Sequence, residues 1–204
     1  MAKLYFRYGA MNSGKSTALL QAAFNYEERG HHVLLAKPAI DTKADSHIES
    51  RLGVDRPVDF VIEPDADTYA LFQHHRAAAL QRNGADLSCL LIDEAQFLTD
   101  EQVNGLLRIA LLEGIPVLAY GIRTDFQTVA FPGSRRLLEV AHSLEELKTI
   151  CRCGRKALFN GRRVGDRFIF DGDQVAIDGV EVAYESLCGV CYLQESAGAL
   201  GPVR

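Results

Sequence analysis

The run Gly9-Ala10-Met11-Asn12-Ser13-Gly14-Lys15-Ser16 fits the spacing G-x-x-x-x-G-K-[ST], a loop whose chemistry is to hold phosphates. Its glycines let the backbone curl into a nest of N–H groups. The helix N-terminus that follows aims partial positive charge at the same anion. In such a loop Lys15 reaches the β- and γ-phosphates of ATP and Ser16 holds Mg²⁺. A glycine-rich turn entering a helix by chance is the bland alternative, and the strand before and the helix after argue against it. A second constellation, Leu90-Leu91-Ile92-Asp93-Glu94-Ala95-Gln96, puts two acids after an apolar run, at the strand edge where parallel sheets bind ligands. Asp93 suits a water-mediated hold on Mg²⁺, and Glu94 can turn the other way as a general base. The plain alternative is a solvated turn that caps the next helix.

The acids alone do not say what the base deprotonates. Activation of water makes an ATPase, and Asp93-Glu94-Ala95-Gln96 is close to the acidic signature of helicases; activation of a hydroxyl makes a kinase. Two motor domains of the helicase kind need roughly twice this chain or more. An N-K-x-D element for guanine is missing as well, which disfavours a GTPase. A DNA-dependent ATPase or a zinc-ribbon nucleic-acid binder is the competing reading to a small-molecule kinase.

Cys151-x-Cys153 and Cys188-x-x-Cys191 are two close pairs bracketing a β-prone loop, a set suited to tetrahedral S₄ zinc. Four ligands leave no open position, so such a zinc ties strand ends together and takes no part in catalysis. The fifth cysteine, Cys89, falls in an apolar strand and reads as a core thiol. The six histidines show no ligand pairing.

These residues need elements to hold them. Leu4 to Tyr8 reads as a strand, Lys15 to Arg29 as a helix stopped at Gly30, and Val33 to Ala36 as a buried strand. Val58 to Ile62 follows as a strand and Thr68 to Arg82 as a helix. Leu87 to Ile92, short and continuously apolar, reads as the central strand. Thr99 and Gln102 form a capping box for a helix with Val103, Leu106, Leu107, Ala110 and Leu111 on its core face. A strand from Ile115 to Tyr120 and a short helix around Arg135 to Ala141 complete an alternating series, which predicts an α/β fold with a mainly parallel sheet. From Leu147 onward glycine, aspartate and cysteine increase, and short runs (167–170, 174–177, 181–184) read as strands of a small β-rich module in which a metal replaces a missing core. Residues 196–204 read as a frayed tail.

The chain of 204 residues has a hydrophobic fraction of 48%, enough for a real core, which excludes a disordered class. Its net charge of −5 argues against gripping a nucleic-acid backbone. No run is apolar enough for a membrane helix, since Ile109 to Ile122 contains Glu113, Gly114 and Pro116. The start lacks a long apolar segment of the secretory kind, so a reducing cytoplasmic setting is expected, with thiols serving metal or core roles.

Together the motifs resemble the zinc-containing thymidine kinases. The resemblance rests on YGAMNSGKST (8–17), KPAIDT (37–42), SRLG (50–53), LLIDEAQF (90–97), YGIRTDFQ (120–127), Phe131-Pro132, the paired cysteines and YESLC (184–188). It implies transfer of the ATP γ-phosphate to the 5′-hydroxyl of thymidine, and usually deoxyuridine as well, with Glu94 as the base. It implies a RecA-like P-loop NTPase domain (1–148) with helices on both faces of its sheet, and a zinc-binding, β-rich lasso domain (149–204) that closes on the nucleoside. Gly9 to Ser16, Asp93 and Gln96 are the implied ATP site. The implied nucleoside contacts are Met11, Ile122, Arg123, Phe126, Phe131, Asn160, Ile177, Asp178, Gly179 and Tyr184. A homotetramer is the assembly it implies, with Zn²⁺ structural and Mg²⁺ accompanying ATP, and with neither nucleic acid nor membrane as partner. Asp178-Gly179 stands where the family more often has Ile-Gly-Gly, and Lys43 where an Arg is common; a Lys makes no bidentate phosphate contact.

Overall fold

The structure, a computed structural model, describes residues 1–39, 46–50, 52–174 and 182–201. Strand β1 (Leu4–Tyr8), helix α1 (Lys15–Glu27) and strand β2 (His32–Pro38) come first, then a hairpin of β3 (His47–Glu49) and β4 (Asp55–Pro57). They are followed by β5 (Phe60–Ile62), α2 (Thr68–Asn83), β6 (Leu87–Ile92), a 3₁₀ turn (Ala95–Phe97), α3 (Asp100–Leu112), β7 (Val117–Gly121), α4 (Pro132–Val140) and β8 (Ser143–Glu146). Among the described residues, six strands form one sheet in the order β5-β2-β6-β7-β1-β8, all neighbours parallel. This is the expected α/β architecture.

The apolar character of β6 has a direct packing reason. Leu90 and Ile92 enter one core with residues of α2, α3 and α4, while Cys89 and Leu91 enter a second core with Leu19, Leu20 and Ala23 of α1. A strand covered by helices on both faces has no solvent side, so Cys89 to Ile92 are all apolar and buried, and the polar Ser88 stands at the strand's open start. Cys89 is wholly buried there, and burial pushes its thiol up to about 12, which makes it inert. Ahead of α3, Thr99 and Gln102 make both arms of the capping box, and the Gln102 amide also donates to the carbonyls of Glu63 and Pro64.

The remainder forms a smaller antiparallel unit: β9 (Thr149–Ile150), β10 (Lys156–Ala157), β11 (Phe159–Val164), β12 (Arg167–Ile169), β13 (Val182–Leu187) and α5 (Gly189–Glu195). Strands β12-β11-β13 form its sheet, over a core of Cys151, Ala157, Leu187, Cys188, Cys191 and Tyr192 joined by Phe159, Phe168 and Phe170.

Some expectations need correction. Leu111 is exposed, and Ile109 takes its place in the core of α3. Helix α4 begins at Pro132, not Arg135, because proline supplies the helical φ at the first position, where no N–H is needed. The strand expected from Val58 begins at Phe60, because the Asp59 backbone and carboxylate are both taken by the Leu35 peptide. Strand β8 was hidden in the polar run Ser143-Leu144-Glu145-Glu146, and α5 starts inside the second cysteine pair. The expected tail is folded through Gly201, whose N–H donates to Thr128 Oγ1. Asp41, Thr42, Lys43, Arg51, Ile177, Asp178 and Gly179 lie outside the described residues.

Candidate active site

The phosphate loop runs from the end of β1 into α1. A Cβ at Gly9 would stand 2.3 Å from Ser13 Oγ and 2.5 Å from the Leu147 carbonyl, so only glycine fits the first position. Gly14 has φ +76 and immediately precedes α1. Lys15 is buried, with Nζ 3.0 Å from the Ala10 carbonyl, and the Ser13 N–H donates to that same oxygen. The loop is a preformed ring that leaves Asn12, Gly14, Lys15 and Ser16 lining a cavity of about 950 Å³.

The acidic turn closes on this loop from β6. Ser16 Oγ donates to Asp93 Oδ2 at 3.1 Å, and the Asp93 N–H donates to the Ala36 carbonyl. Glu94 sits at φ +50, a left-handed conformation that costs a non-glycine residue about 1 kcal/mol and that turns its carboxylate into the cavity. Gln96 is 1% exposed and spans the site: Nε2 donates to Glu94 Oε2, and Oε1 accepts from the Ile122 N–H at 3.2 Å. Ser134 Oγ donates to the Ile122 carbonyl at 2.5 Å, so the end of β7 is held from both sides.

Burial pushes the Asp93 carboxyl up to about 6; the charge of Glu94 adds to the rise and the Ser16 hydroxyl opposes it. Because this lies above the unfolded value, the buried charge weakens the fold. The penalty is absent at low pH, grows as pH rises from about 4, and is full above about 6. Asp93→Asn keeps an acceptor for Ser16 and removes the charge. In metal-free, nucleotide-free protein it should gain roughly 2–3 kcal/mol at pH 7.5 and nothing near pH 4, read by urea unfolding in EDTA. An equal gain at both pH values would contradict the assigned cause.

The same cavity is lined by Met11 of the loop and by Ile122, Phe126, Phe131, Asn160 and Tyr184. Phe131 packs edge-on to Phe97 at 5.5 Å, and Phe126 lies 3.7 Å beneath the Arg162 guanidinium. Arg123 is placed elsewhere: it lies 5.8 Å from the Tyr8 ring centroid, beside a separate cleft of about 10 Å³.

Several residues here carried no sequence signal. Buried Arg162 donates to Tyr184 Oη at 3.2 Å and to the carbonyls of Asp173 and Gln174. Asp125 accepts from the Gln127 and Val129 N–H groups on one oxygen and from Gln174 Nε2 on the other. Tyr192 Oη donates to the Phe126 carbonyl at 2.6 Å. An arginine inside a strand has no spacing rule to mark it; the pairing of β11 with β13 sets Arg162 opposite Tyr184.

The four cysteine Sγ atoms lie within 4.8 Å of one another. A tetrahedral S₄ zinc with bonds of about 2.3 Å requires sulfur separations of about 3.8 Å, so the set fits the ion. Cys188 also caps α5, and the Cys191 N–H donating to its Sγ holds that thiol down, to about 6.

A family model for thymidine kinase matches residues 2–192. A thymidine kinase of Legionella pneumophila (strain Lens) is 48% identical over 204 residues, covering 99% of this chain and 94% of its own. One from Chromobacterium violaceum is 47% identical, covering 94% and 98%, and one from Enterobacteria phage T4 is 47% identical, covering 92% and 94%. Likeness of that degree reaches from the phosphate loop through the acidic turn to the last cysteine, and the chain belongs to the thymidine kinase family.

Proposed function

We propose that this protein is an ATP-dependent thymidine kinase that makes dTMP. The observation that carries the reading is one cavity whose lining combines residues of the phosphate loop, aromatic side chains and Glu94. Phe126, Phe131, Met11 and Tyr184 offer flat apolar surface for a pyrimidine. Lys15 and the loop amides bind the triphosphate. Ser16 and Asp93 would hold Mg²⁺, which when bound neutralises phosphate charge. Glu94 accepts the 5′-hydroxyl proton as that oxygen bonds to the γ-phosphorus and the bond from phosphorus to the ADP oxygen breaks. Gln96 fixes the base, and Arg123 over Tyr8 steadies the loop after β7.

The chain divides after residue 148 in this reading. The large sheet ends with β8, and the cysteine unit has its own core, which supports the division. Zn²⁺ at the four cysteines is the anchor of the second unit. A homotetramer and a cytoplasmic setting belong to the same reading. Among the described residues, no helix is long and apolar enough to cross a membrane.

Incubation with labelled ATP and a panel of nucleosides should yield dTMP from thymidine. Hydrolysis stimulated by single-stranded DNA, with no nucleoside monophosphate formed, would replace this reading with an ATPase.

A further inference from the structure

Residue Met11 sits at the turn of the phosphate loop, and the second unit takes hold of it from both directions. Its N–H donates to Asn160 Oδ1 at 2.7 Å, and its carbonyl accepts from Ser186 Oγ. Asn160 and Ser186 stand opposite each other in the register of β11 and β13, so one rung of that sheet supplies both grips. Asn160 is 2% exposed, and its Nδ2 donates to the Thr124 carbonyl at 2.9 Å, which ties the loop after β7 to the same rung. Strand β13 runs from Ser186 straight into Cys188, one of the four clustered thiols. The peptide before Met11 ends in the Ala10 carbonyl that receives Lys15 Nζ and the Ser13 N–H.

We infer that Ser186 and Asn160 are positioning residues for the nucleotide, through which the cysteine-held sheet sets the shape of the phosphate loop. The inference rests on the kinase reading for what the loop is used for, and it adds that the unit assigned to the nucleoside also holds the triphosphate site in order. Asn160 thereby has a role besides any contact with a base: one lone pair and one N–H of its amide are already committed to the protein. Without these two hydrogen bonds the peptides on either side of Met11 are free to turn, and the amides of the nest no longer converge on one anion. Each bond joins neutral groups, so each alone has a moderate effect, and together they fix the two peptide planes on either side of the Met11 Cα.

The test uses the full-length, metal-loaded protein and Mg²⁺ with a non-hydrolysable ATP analogue as probe. Ser186→Ala should weaken binding of that probe about tenfold, and Ser186→Thr, which keeps the hydroxyl, should restore it to within about threefold. Zinc content and melting temperature are measured on the same samples. Hydrogen exchange supplies a second readout: the Met11 amide should be protected in the unaltered protein and exchange about tenfold faster in Asn160→Ala. Unchanged analogue affinity in a folded Ser186→Ala would overturn the inference. An unprotected Met11 amide in the unaltered protein would overturn it even if the variants fail to fold. Neither readout uses thymidine, so a failure of the substrate assignment leaves this result standing and is recognised separately.

Discussion

Glu94→Gln is expected to lower thymidine phosphorylation about a thousandfold, with the affinity for Mg²⁺ and nucleotide kept within about threefold. The substitution is nearly isosteric and still offers an oxygen to Gln96 Nε2, so it removes the charge and the basicity while retaining the hydrogen bond that orients the side chain. Glu94→Ala, which also removes that bond, should be at least as damaging. The effect is large because the other acids near the cavity are already engaged. Asp93 accepts from Ser16, and both oxygens of Asp125 are bound, one to backbone N–H groups and the other to Gln174. Among the described residues Glu49, on the β3–β4 hairpin, is the remaining carboxylate of the lining, and Glu49→Gln serves as the companion variant. Turnover by steady-state assay and nucleotide affinity by titration calorimetry separate the two effects. Undiminished turnover in Glu94→Ala would sink the base assignment.

The phosphate loop, the acidic turn and the capping box of α3 were legible because each depends on neighbours in sequence. A loop that cradles phosphate must have Gly at fixed offsets, and a buried parallel strand reads as a near-continuous apolar run. What was not legible depends on distant pairing. Strand β8 is an outer strand of four residues, two of them glutamates, and it reads as a loop until β1 pairs with it. Leu111 and Ile109 both satisfy an apolar pattern on α3, and the tilt of the helix on the sheet decides which is buried. Ser186 lies within a quoted motif, yet its partner is Met11, 175 residues away, and no local spacing points there. The cysteine pairs announced a metal site from the sequence, but not that the strand between Ser186 and Cys188 would link that site to the phosphates.

Removing the metal should have the other large effect. Among the described residues the core of the second unit holds six buried residues, three of them cysteines, flanked by Phe159, Phe168 and Phe170. So small a core rarely stands alone, and a structural S₄ zinc contributes about 10 kcal/mol or more to folding in comparable sites. Cys153 is the exposed member of the four, so Cys153→Ser disturbs packing least while deleting one ligand. Purified protein should carry about one zinc per chain, and Cys153→Ser well below that. The variant should show an early unfolding transition assigned to the second unit, with the helical signal of the first retained. Phosphorylation of thymidine should fall more than about a hundredfold, since Tyr184, Asn160 and the grip on Met11 all hang on strands that the cysteines tie together. Cys188→Ser is the stronger control, because serine can still cap α5 and so isolates the loss of the ligand from the loss of the cap. Metal-free protein with full activity and a single unfolding transition would show that the four thiols pack as ordinary core residues, and the anchoring role of zinc would fall with it.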